Sequence, residues 1–188
     1  MVLACAAAVL STSCAAPSII AVQDSTGTSH TPLVAESDQV VVLLFSSPDC
    51  PIANAIAPEI ERLHRQTVEG GGLFYVVHAR KDVTPSVATA HAKAHGITAP
   101  VLLDSQQELV RAMDATVTPE MVVLACQNEV TPRKVYQGRI NNLYASLGNR
   151  RDRANEHWGR DAISKALAGE PIDPPYRQPL GCLLERTP

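Results

Sequence analysis

Apolar residues in this chain fall mainly into short continuous runs rather than into strict alternation. Residues 40–45 and 73–77 are runs of valine, leucine and aromatic side chains, and residues 101–103 and 121–125 are similar. Continuous runs of this length are typical of strands that are buried on both faces of a sheet. Residues 134–137 follow the last run across a turn, which indicates a hairpin. The pattern predicts the central strands of an α/β domain.

The segment after the first strand has helical periodicity. Its apolar residues lie on one face of a predicted helix over residues 51–68: Ile52, Ile56, Ile60 and Leu63. Pro58 lies inside this helix and is expected to kink it. Three glycines at positions 70–72 then end it. Strand and helix therefore alternate from the beginning of the domain.

Three further helices are predicted by their end signals. Thr84 and Pro85 begin a helix over residues 85–95, which a glycine ends. Residues 105–108 have the pattern of a capping box before a helix that reaches Met113. Residues 161–168 form the last predicted helix. The order of elements predicts one mixed sheet flanked by helices.

Composition and charge limit the classes of function. The chain has 188 residues, 45% apolar content and a formal net charge of −3. This length predicts one domain with tails. Basic residues cluster only at positions 150–153, so no nucleic-acid partner is expected.

The first 22 residues differ from the rest of the chain. Residues 2–22 carry no charged side chain and end in small residues, which predicts an export signal. Residues 10–14, Leu-Ser-Thr-Ser-Cys, resemble the bacterial lipoprotein signal, and this resemblance implies lipidation of Cys14. A conventionally cleaved signal and an uncleaved or misassigned start remain alternatives. We expect a periplasmic protein or a lipoprotein attached to a membrane.

Polar and proline-rich segments flank the predicted domain. Residues 23–32 have no hydrophobic period and are predicted to be a polar tether. The folded domain is expected over residues 33–170. Residues 171–188 form a proline-rich tail that carries Cys182.

Cys50 lies where a thiol is expected to be reactive. The sequence Ser-Ser-Pro-Asp-Cys-Pro over residues 46–51 follows the first strand and places Cys50 at the start of a helix, with Pro51 at the first helical position. Free N–H groups and the helix dipole favour a negative charge there, and the thiolate is the reactive form of cysteine. Asp49 opposes this effect through its own charge. The pattern predicts sulfur redox chemistry.

Three motifs in order resemble the thioredoxin superfamily. They are the strand followed by Cys-Pro at residues 50–51, the internal Pro58 of the next helix, and Val-Thr-Pro at residues 117–119. The resemblance extends over about residues 35–170 and implies a thioredoxin fold, with a central mixed sheet flanked by helices. It also implies that Pro119 is a cis-proline facing Cys50, and that the backbone of Thr118 holds the sulfur substrate.

Within that superfamily the chain is similar to bacterial redoxins of the alkyl hydroperoxide reductase/thiol-specific antioxidant family. The motifs are Asp-Cys-Pro-Ile-Ala-Asn at residues 49–54, Gly-Arg-Ile-Asn-Asn at 138–142 and Gly-Cys at 181–182. The resemblance implies a thiol-disulfide oxidoreductase or a peroxiredoxin-like antioxidant protein, without a cofactor. Its expected partners are a disulfide or a peroxide and a thiol reductant. Ser47, three residues before Cys50, is expected to donate a hydrogen bond to the thiolate.

Ala53 stands where thioredoxins have the second cysteine of their Cys-x-x-Cys motif. A distant cysteine, a second protein or a small thiol must then resolve the oxidised Cys50. Cys182 is the candidate resolving residue if the tail folds back across the domain. Cys126, at the end of an apolar strand, is expected to be buried, although a Cys126–Cys182 pair remains possible in an oxidising compartment.

A binding module without catalytic activity is the competing hypothesis. Cys50 and Cys182, joined by His78 or His157, would supply soft ligands for copper. A partner protein is the other ligand that such a module would hold. Copper chaperones with this fold use Cys-x-x-x-Cys, however, and the fourth residue after Cys50 is Asn54. No metal is therefore expected in the primary interpretation.

Overall fold

The computed structural model describes residues 19–126 and 132–186. Cys14, most of the predicted export signal and residues 127–131, where the sequence predicts a turn, lie outside these residues. In the described ranges no helix is both long enough and apolar enough to cross a membrane.

Between residues 40 and 118 strands and helices alternate, as the apolar pattern predicts, and further strands lie before and after this stretch. The strands are β1 (Val22–Gln23), β2 (Ser29–His30), β3 (Val40–Ser46), β4 (Leu73–His78), β5 (Val101–Leu103), β6 (Val117–Thr118), β7 (Glu120–Ala125), β8 (Arg133–Gly138), β9 (Tyr144–Ser146), β10 (Asn149–Arg150), β11 (Tyr176–Arg177) and β12 (Cys182–Leu183). The helices are α1 (Pro51–Ala55), α2 (Ala57–Glu69), α3 (Pro85–His95), α4 (Glu108–Met113) and α5 (Trp158–Leu167).

A six-stranded mixed sheet forms the centre of the molecule, in the order β11-β8-β7-β3-β4-β5. β3 pairs in parallel with β4 and antiparallel with β7, and β7 forms the predicted hairpin with β8. Every residue of β3 is buried, as its continuous apolar run predicts. The loop after β3 therefore leaves the sheet near its middle, and this loop leads to Cys50.

Two hydrophobic cores lie on opposite faces of the sheet, because successive side chains of a strand point to opposite sides. Val42 and Leu44 pack with residues of α2, α3 and α5 on one face. Leu43 and Phe45 pack with residues of α4 and with Val22 on the other. Both cores are built mainly from aliphatic side chains.

The helix after Cys50 is broken rather than only kinked. α1 ends at Ala55 and α2 begins at Ala57, with Ile56 between them outside helical geometry. Pro58 consequently lies in the first turn of α2, where its missing N–H leaves no hydrogen bond unmade. α3 agrees closely with its prediction: the Thr84 side chain caps it, and Gly96 ends it in the left-handed conformation.

The capping box predicted over residues 105–108 is wrong. Gln107 precedes α4 in a left-handed conformation and makes no side-chain cap. The Asp104 carboxylate accepts the backbone N–H groups of Glu108 at 2.8 Å and Val110 at 3.0 Å instead. Asp104, four residues before Glu108, thus satisfies two of the free N–H groups at the start of α4.

The segment predicted to be a polar tether is ordered against the sheet. β1 and β2 form a hairpin, and Asp24 bridges to Leu102 of β5. The Asp24 carboxylate is buried and accepts hydrogen bonds from the backbone N–H groups of Thr26 and Thr28. The segment is thus ordered by hydrogen bonds among its own polar groups. It has no hydrophobic period, and for that reason the sequence predicts a tether here.

The C-terminal tail crosses the domain in two steps. β11 adds in parallel to β8 at the edge of the sheet, and β12 then pairs antiparallel with β6. Beyond β12, the backbone N–H of Leu184 donates to the Thr116 carbonyl at 2.9 Å. Arg186 forms an ion pair with Asp114 at 2.8 Å. The tail therefore returns to the β3–α1 end of the domain.

Candidate thiol site

Cys50 is buried at the N-terminus of α1. It is the N-cap residue and has extended backbone dihedrals, while Pro51 occupies the first turn. The carbonyl of Cys50 accepts the N–H of Asn54 at 3.0 Å. Cys50 therefore lies at a helix start, as the sequence predicts, and its side chain is only 1% exposed.

The sulfur of Cys50 contacts the cis-proline loop and the tail. Its thiol donates to the Thr118 carbonyl at 3.0 Å, and its Sγ atom lies 2.6 Å from the Sγ atom of Cys182. The Thr118–Pro119 bond is cis. The structure therefore brings Cys50, Thr118, Pro119 and Cys182 together.

The two thiols have opposite shifts in pKa. Burial disfavours the Cys50 thiolate, but hydrogen bonds from Cys182, from the backbone of Ala53 and from the side chain of Thr118 outweigh it and lower the pKa of Cys50. Burial, followed by the hydrogen bond to Cys50 and the charge of Cys50, raises the pKa of Cys182 to about 11. The first proton of the pair is thus lost from Cys50, and the Cys182 thiol retains the second.

Asp49 is paired with a cation that sequence reasoning missed. Arg80 donates to the Asp49 carboxylate at 2.5 Å and also to Asp82. This pairing offsets the negative charge beside Cys50. The residues are 31 positions apart, and Arg80 follows β4 without any motif around it. Only the pairing of β3 with β4, which brings their ends together, indicates the contact.

A cleft of about 300 Å³ opens at the two sulfur atoms. Ser47 lies in its wall beside Asp49, and its carbonyl accepts the backbone N–H of Cys50 at 3.1 Å. The role predicted for the Ser47 hydroxyl stays a prediction, since the hydrogen bonds that lower the pKa of Cys50 come from other groups. The opposite wall is formed by the tail: Cys182, Leu183, Leu184 and Glu185.

Close packing fixes the tail over Cys50. A Cβ atom on Gly181 would lie 2.0 Å from the Thr118 carbonyl oxygen, so only glycine allows this approach. Cys182 is then in register with Thr118, and Leu183 with Val117. Glycine at position 181 is therefore a steric requirement of this docking.

Cys126 is buried at the end of β7, as predicted. Its backbone N–H donates to the Gln39 carbonyl at 3.1 Å. Cys182 lies against Cys50 in this structure, so the geometry favours that pair over Cys126–Cys182.

The two histidines proposed as copper ligands contact different polar groups. His78 is 1% exposed and its Nδ1 atom lies 3.0 Å from the Ser46 carbonyl, whereas His157 lies 3.6 Å from Glu59. Burial lowers the pKa of His78 to about 4. Within residues 19–126 and 132–186, no group of three or more His, Cys, Asp or Glu residues is arranged to hold a metal ion.

Similar folds occur in several solved structures. An uncharacterised conserved protein of Geobacillus kaustophilus has a TM-score of 0.70 and 23% identity, over 89% of this chain and 88% of that one. A hypothetical protein of Sinorhizobium meliloti 1021 has a TM-score of 0.73 and 19% identity, over 89% and 91%. A secreted disulfide oxidoreductase of Mycobacterium tuberculosis has a TM-score of 0.52 and 16% identity, over 80% and 96%. At these identities the likeness establishes the fold, and the predicted thioredoxin fold is confirmed.

The amino-acid sequence identifies the family independently of the fold. No curated protein matches this chain. The model of the AhpC/TSA family matches residues 13–136, which include Cys50 and the cis-proline loop but not the tail. This match extends over well more than half of the sequence, and the protein belongs to the AhpC/TSA family.

Proposed function

We propose that this protein is a thiol-dependent oxidoreductase in which Cys50 is the nucleophile and Cys182 the resolving cysteine. The observation that carries the proposal is the 2.6 Å contact between the two sulfur atoms. The opposite pKa shifts support the assignment, because the group that ionises first is the one that attacks.

With a disulfide as substrate, the reaction proceeds in two exchanges. The Cys50 thiolate attacks one substrate sulfur, a new S–S bond forms, and the other substrate sulfur leaves as a thiolate. The sulfur of Cys182 then attacks Cys50 and releases the second substrate thiol, which takes up the Cys182 proton. The substrate gains two electrons, and the protein is left with a Cys50–Cys182 disulfide.

With a peroxide as substrate, the same pair gives a sulfenic acid first. The Cys50 thiolate attacks one peroxide oxygen and the O–O bond breaks, which gives the Cys50 sulfenic acid and a hydroxide or alkoxide that takes a proton from the solvent. Cys182 then attacks the Cys50 sulfenic acid, and water leaves with the Cys182 proton. A thiol reductant returns either form of the protein to the dithiol state.

Export belongs to the same proposal. The uncharged segment 2–22 and the signal-like sequence that ends at Cys14 support delivery to the periplasm or attachment to a membrane by a lipid. The secreted oxidoreductase of similar fold is consistent with that location. Labelling cells with a radioactive fatty acid tests it, because replacement of Cys14 by alanine would abolish incorporation into a lipoprotein.

Mapping of disulfides by mass spectrometry tests the chemistry. The reduced full chain receives one equivalent of oxidised glutathione or of hydrogen peroxide, and we expect a Cys50–Cys182 disulfide with either oxidant. The Cys182→Ala variant should stop at a glutathione adduct or a sulfenic acid on Cys50. Cys126→Ser is the matched control and should react as the parent does.

The same samples distinguish the competing binding module. Cuprous ion is added to the reduced protein, and native mass spectrometry counts the bound metal. A parent protein that leaves Cys50 reduced with both oxidants and retains one copper ion would contradict the oxidoreductase proposal.

A further inference from the structure

Glu120 is a buried carboxylate that directly follows the cis Thr118–Pro119 bond and is only 1% exposed. Its Oε2 atom accepts the backbone N–H of Thr116 at 2.8 Å and of Val117 at 3.3 Å. Its Oε1 atom accepts the side-chain amide of Gln137 at 2.6 Å. These donors are all neutral, and burial of a carboxylate is costly unless its hydrogen bonds are well made. Such an arrangement points to a specific structural task.

Glu120 holds one peptide unit at the start of β6, the unit that joins Thr116 to Val117. The N–H of Val117 donates to Glu120, and the carbonyl of Thr116, in the same peptide unit, accepts the N–H of Leu184 at 2.9 Å. A trans peptide unit is planar and its N–H and C=O point in opposite directions. A carboxylate that holds the N–H therefore aims the carbonyl at the tail. Its charge also polarises the unit and strengthens the carbonyl as an acceptor.

Docking of the tail at Leu184 sets the position of Cys182. β12 has only two residues, and the hydrogen bond from Leu184 to Thr116 adjoins it directly. Further along the tail, the Gln107 side chain donates to the Glu185 carbonyl at 2.7 Å and Arg186 pairs with Asp114. Cys182 lies opposite Thr118 in this pairing and meets Cys50 there.

We propose that Glu120 is a positioning residue, which orients the Thr116–Val117 peptide unit so that the tail binds with Cys182 against Cys50. The inference rests on the proposed function, because it concerns the efficiency of the Cys50–Cys182 couple. Glu120 itself acts through the backbone of β6 and takes no part in the exchange of electrons.

The test is Glu120→Gln in the full chain. The amide has one acceptor oxygen, and its NH₂ group meets the NH₂ group of Gln137, so the hold on β6 is weakened. In glutathione redox buffers, the equilibrium constant for the Cys50–Cys182 disulfide should fall about tenfold. Hydrogen exchange at the Leu184 amide should become faster by a similar factor. An unchanged constant and unchanged exchange would overturn the proposal.

Two variants separate positioning from general stability. Glu61 accepts the N–H and the hydroxyl of Thr98, each at 2.9 Å, on another part of the surface. Glu61→Gln removes the same kind of interaction and should leave the thiol equilibrium unchanged. E120Q/Q137E puts the carboxylate on the partner residue and restores a donor–acceptor pair. It should raise the disulfide equilibrium constant above that of Glu120→Gln, and a constant no higher than that of Glu120→Gln in a folded protein would count against the proposal.

Failure of this inference is distinguishable from failure of the proposed function. If the parent forms no Cys50–Cys182 disulfide, the oxidoreductase proposal fails, and exchange at Leu184 alone decides on Glu120. Should Glu120→Gln not fold, Glu120→Asp retains the charge with a shorter reach and should give a smaller loss of the same sign. Equal values in this variant and the parent would overturn the role of Glu120.

Discussion

A single contact makes the two cysteines chemically unequal. Cys182 donates to the sulfur of Cys50, which favours the Cys50 thiolate, while the charge of that thiolate keeps the proton on Cys182. The sequence predicts a reactive Cys50 from its place at a helix start. Although the sequence offers Cys182 as a candidate partner, the asymmetry depends on how the two sulfur atoms meet, and the fold determines that contact across 132 positions of the chain.

The asymmetry predicts a pH profile for alkylation of Cys50. A lowered pKa means that the thiolate persists as the pH falls, so the alkylation rate should decline only below the ordinary thiol pKa of about 8.5. Cys182→Ala removes the hydrogen-bond donor and should move the midpoint up by about one pH unit. Rates with iodoacetamide, followed by mass spectrometry of the Cys50 peptide, check this.

Cys126→Ser is the control for this profile. Cys126 is buried at the end of β7 and is absent from the groups that shift the pKa of Cys50. Its replacement should leave the midpoint where it is in the parent. A common midpoint for the parent and Cys182→Ala would contradict the proposed role of Cys182 as donor.

At the level of elements, local signals determined what could be predicted. α3 has a threonine cap and a terminal glycine within its own sequence, and both ends were predicted correctly. β12 has two residues and exists through pairing with β6. A segment of that length has no hydrophobic period to detect, so its docking required the structure.

The close contact between Gly181 and Thr118 predicts that one added methyl group disrupts the docking of the tail on β6. Gly181→Ala would place a Cβ atom 2.0 Å from the carbonyl oxygen of Thr118. The tail should therefore move away, Cys50 should be alkylated at least tenfold faster, and formation of the Cys50–Cys182 disulfide should slow by a similar factor. Stopped-flow oxidation and timed alkylation measure the two rates.

An exposed residue elsewhere in the tail supplies the control. Tyr176 of β11 is 52% exposed and does not line the cleft at the sulfur atoms, so Tyr176→Ala changes the tail without altering the packing of β12 on β6. Both rates should remain within a factor of two of the parent values. If Gly181→Ala behaved in the same way as Tyr176→Ala, the tail would not be the cover of Cys50.

On the scale of the whole molecule, both ends of the described chain pack against the central domain, the tail at β6 and the β1–β2 hairpin at β5. The tail supplies Cys182 to the thiol site. The hairpin β1–β2 reaches the last strand of the sheet, where the N–H of Ser25 donates to the Val101 carbonyl at 2.9 Å. The sequence predicts the order of strands and helices along the chain and the position of Cys50 at a helix start, because those depend on long apolar runs and one local motif. It assigned the hairpin to a tether because polar residues there satisfy one another.

The hairpin predicts a difference in stability between two shortened chains. A chain that begins at residue 31 lacks Val22, which is 6% exposed and packs with the core of Leu43 and Phe45. Compared with a chain that begins at residue 19, its free energy of unfolding should be lower by about 2 kcal/mol. Urea denaturation of both reduced proteins measures this difference. Asp24→Asn in the longer chain should give part of the loss, because Asp24 holds the hairpin turn through the backbone N–H groups of Thr26 and Thr28. Equal stabilities of the two chains would mean that the segment acts as the tether which its composition predicts.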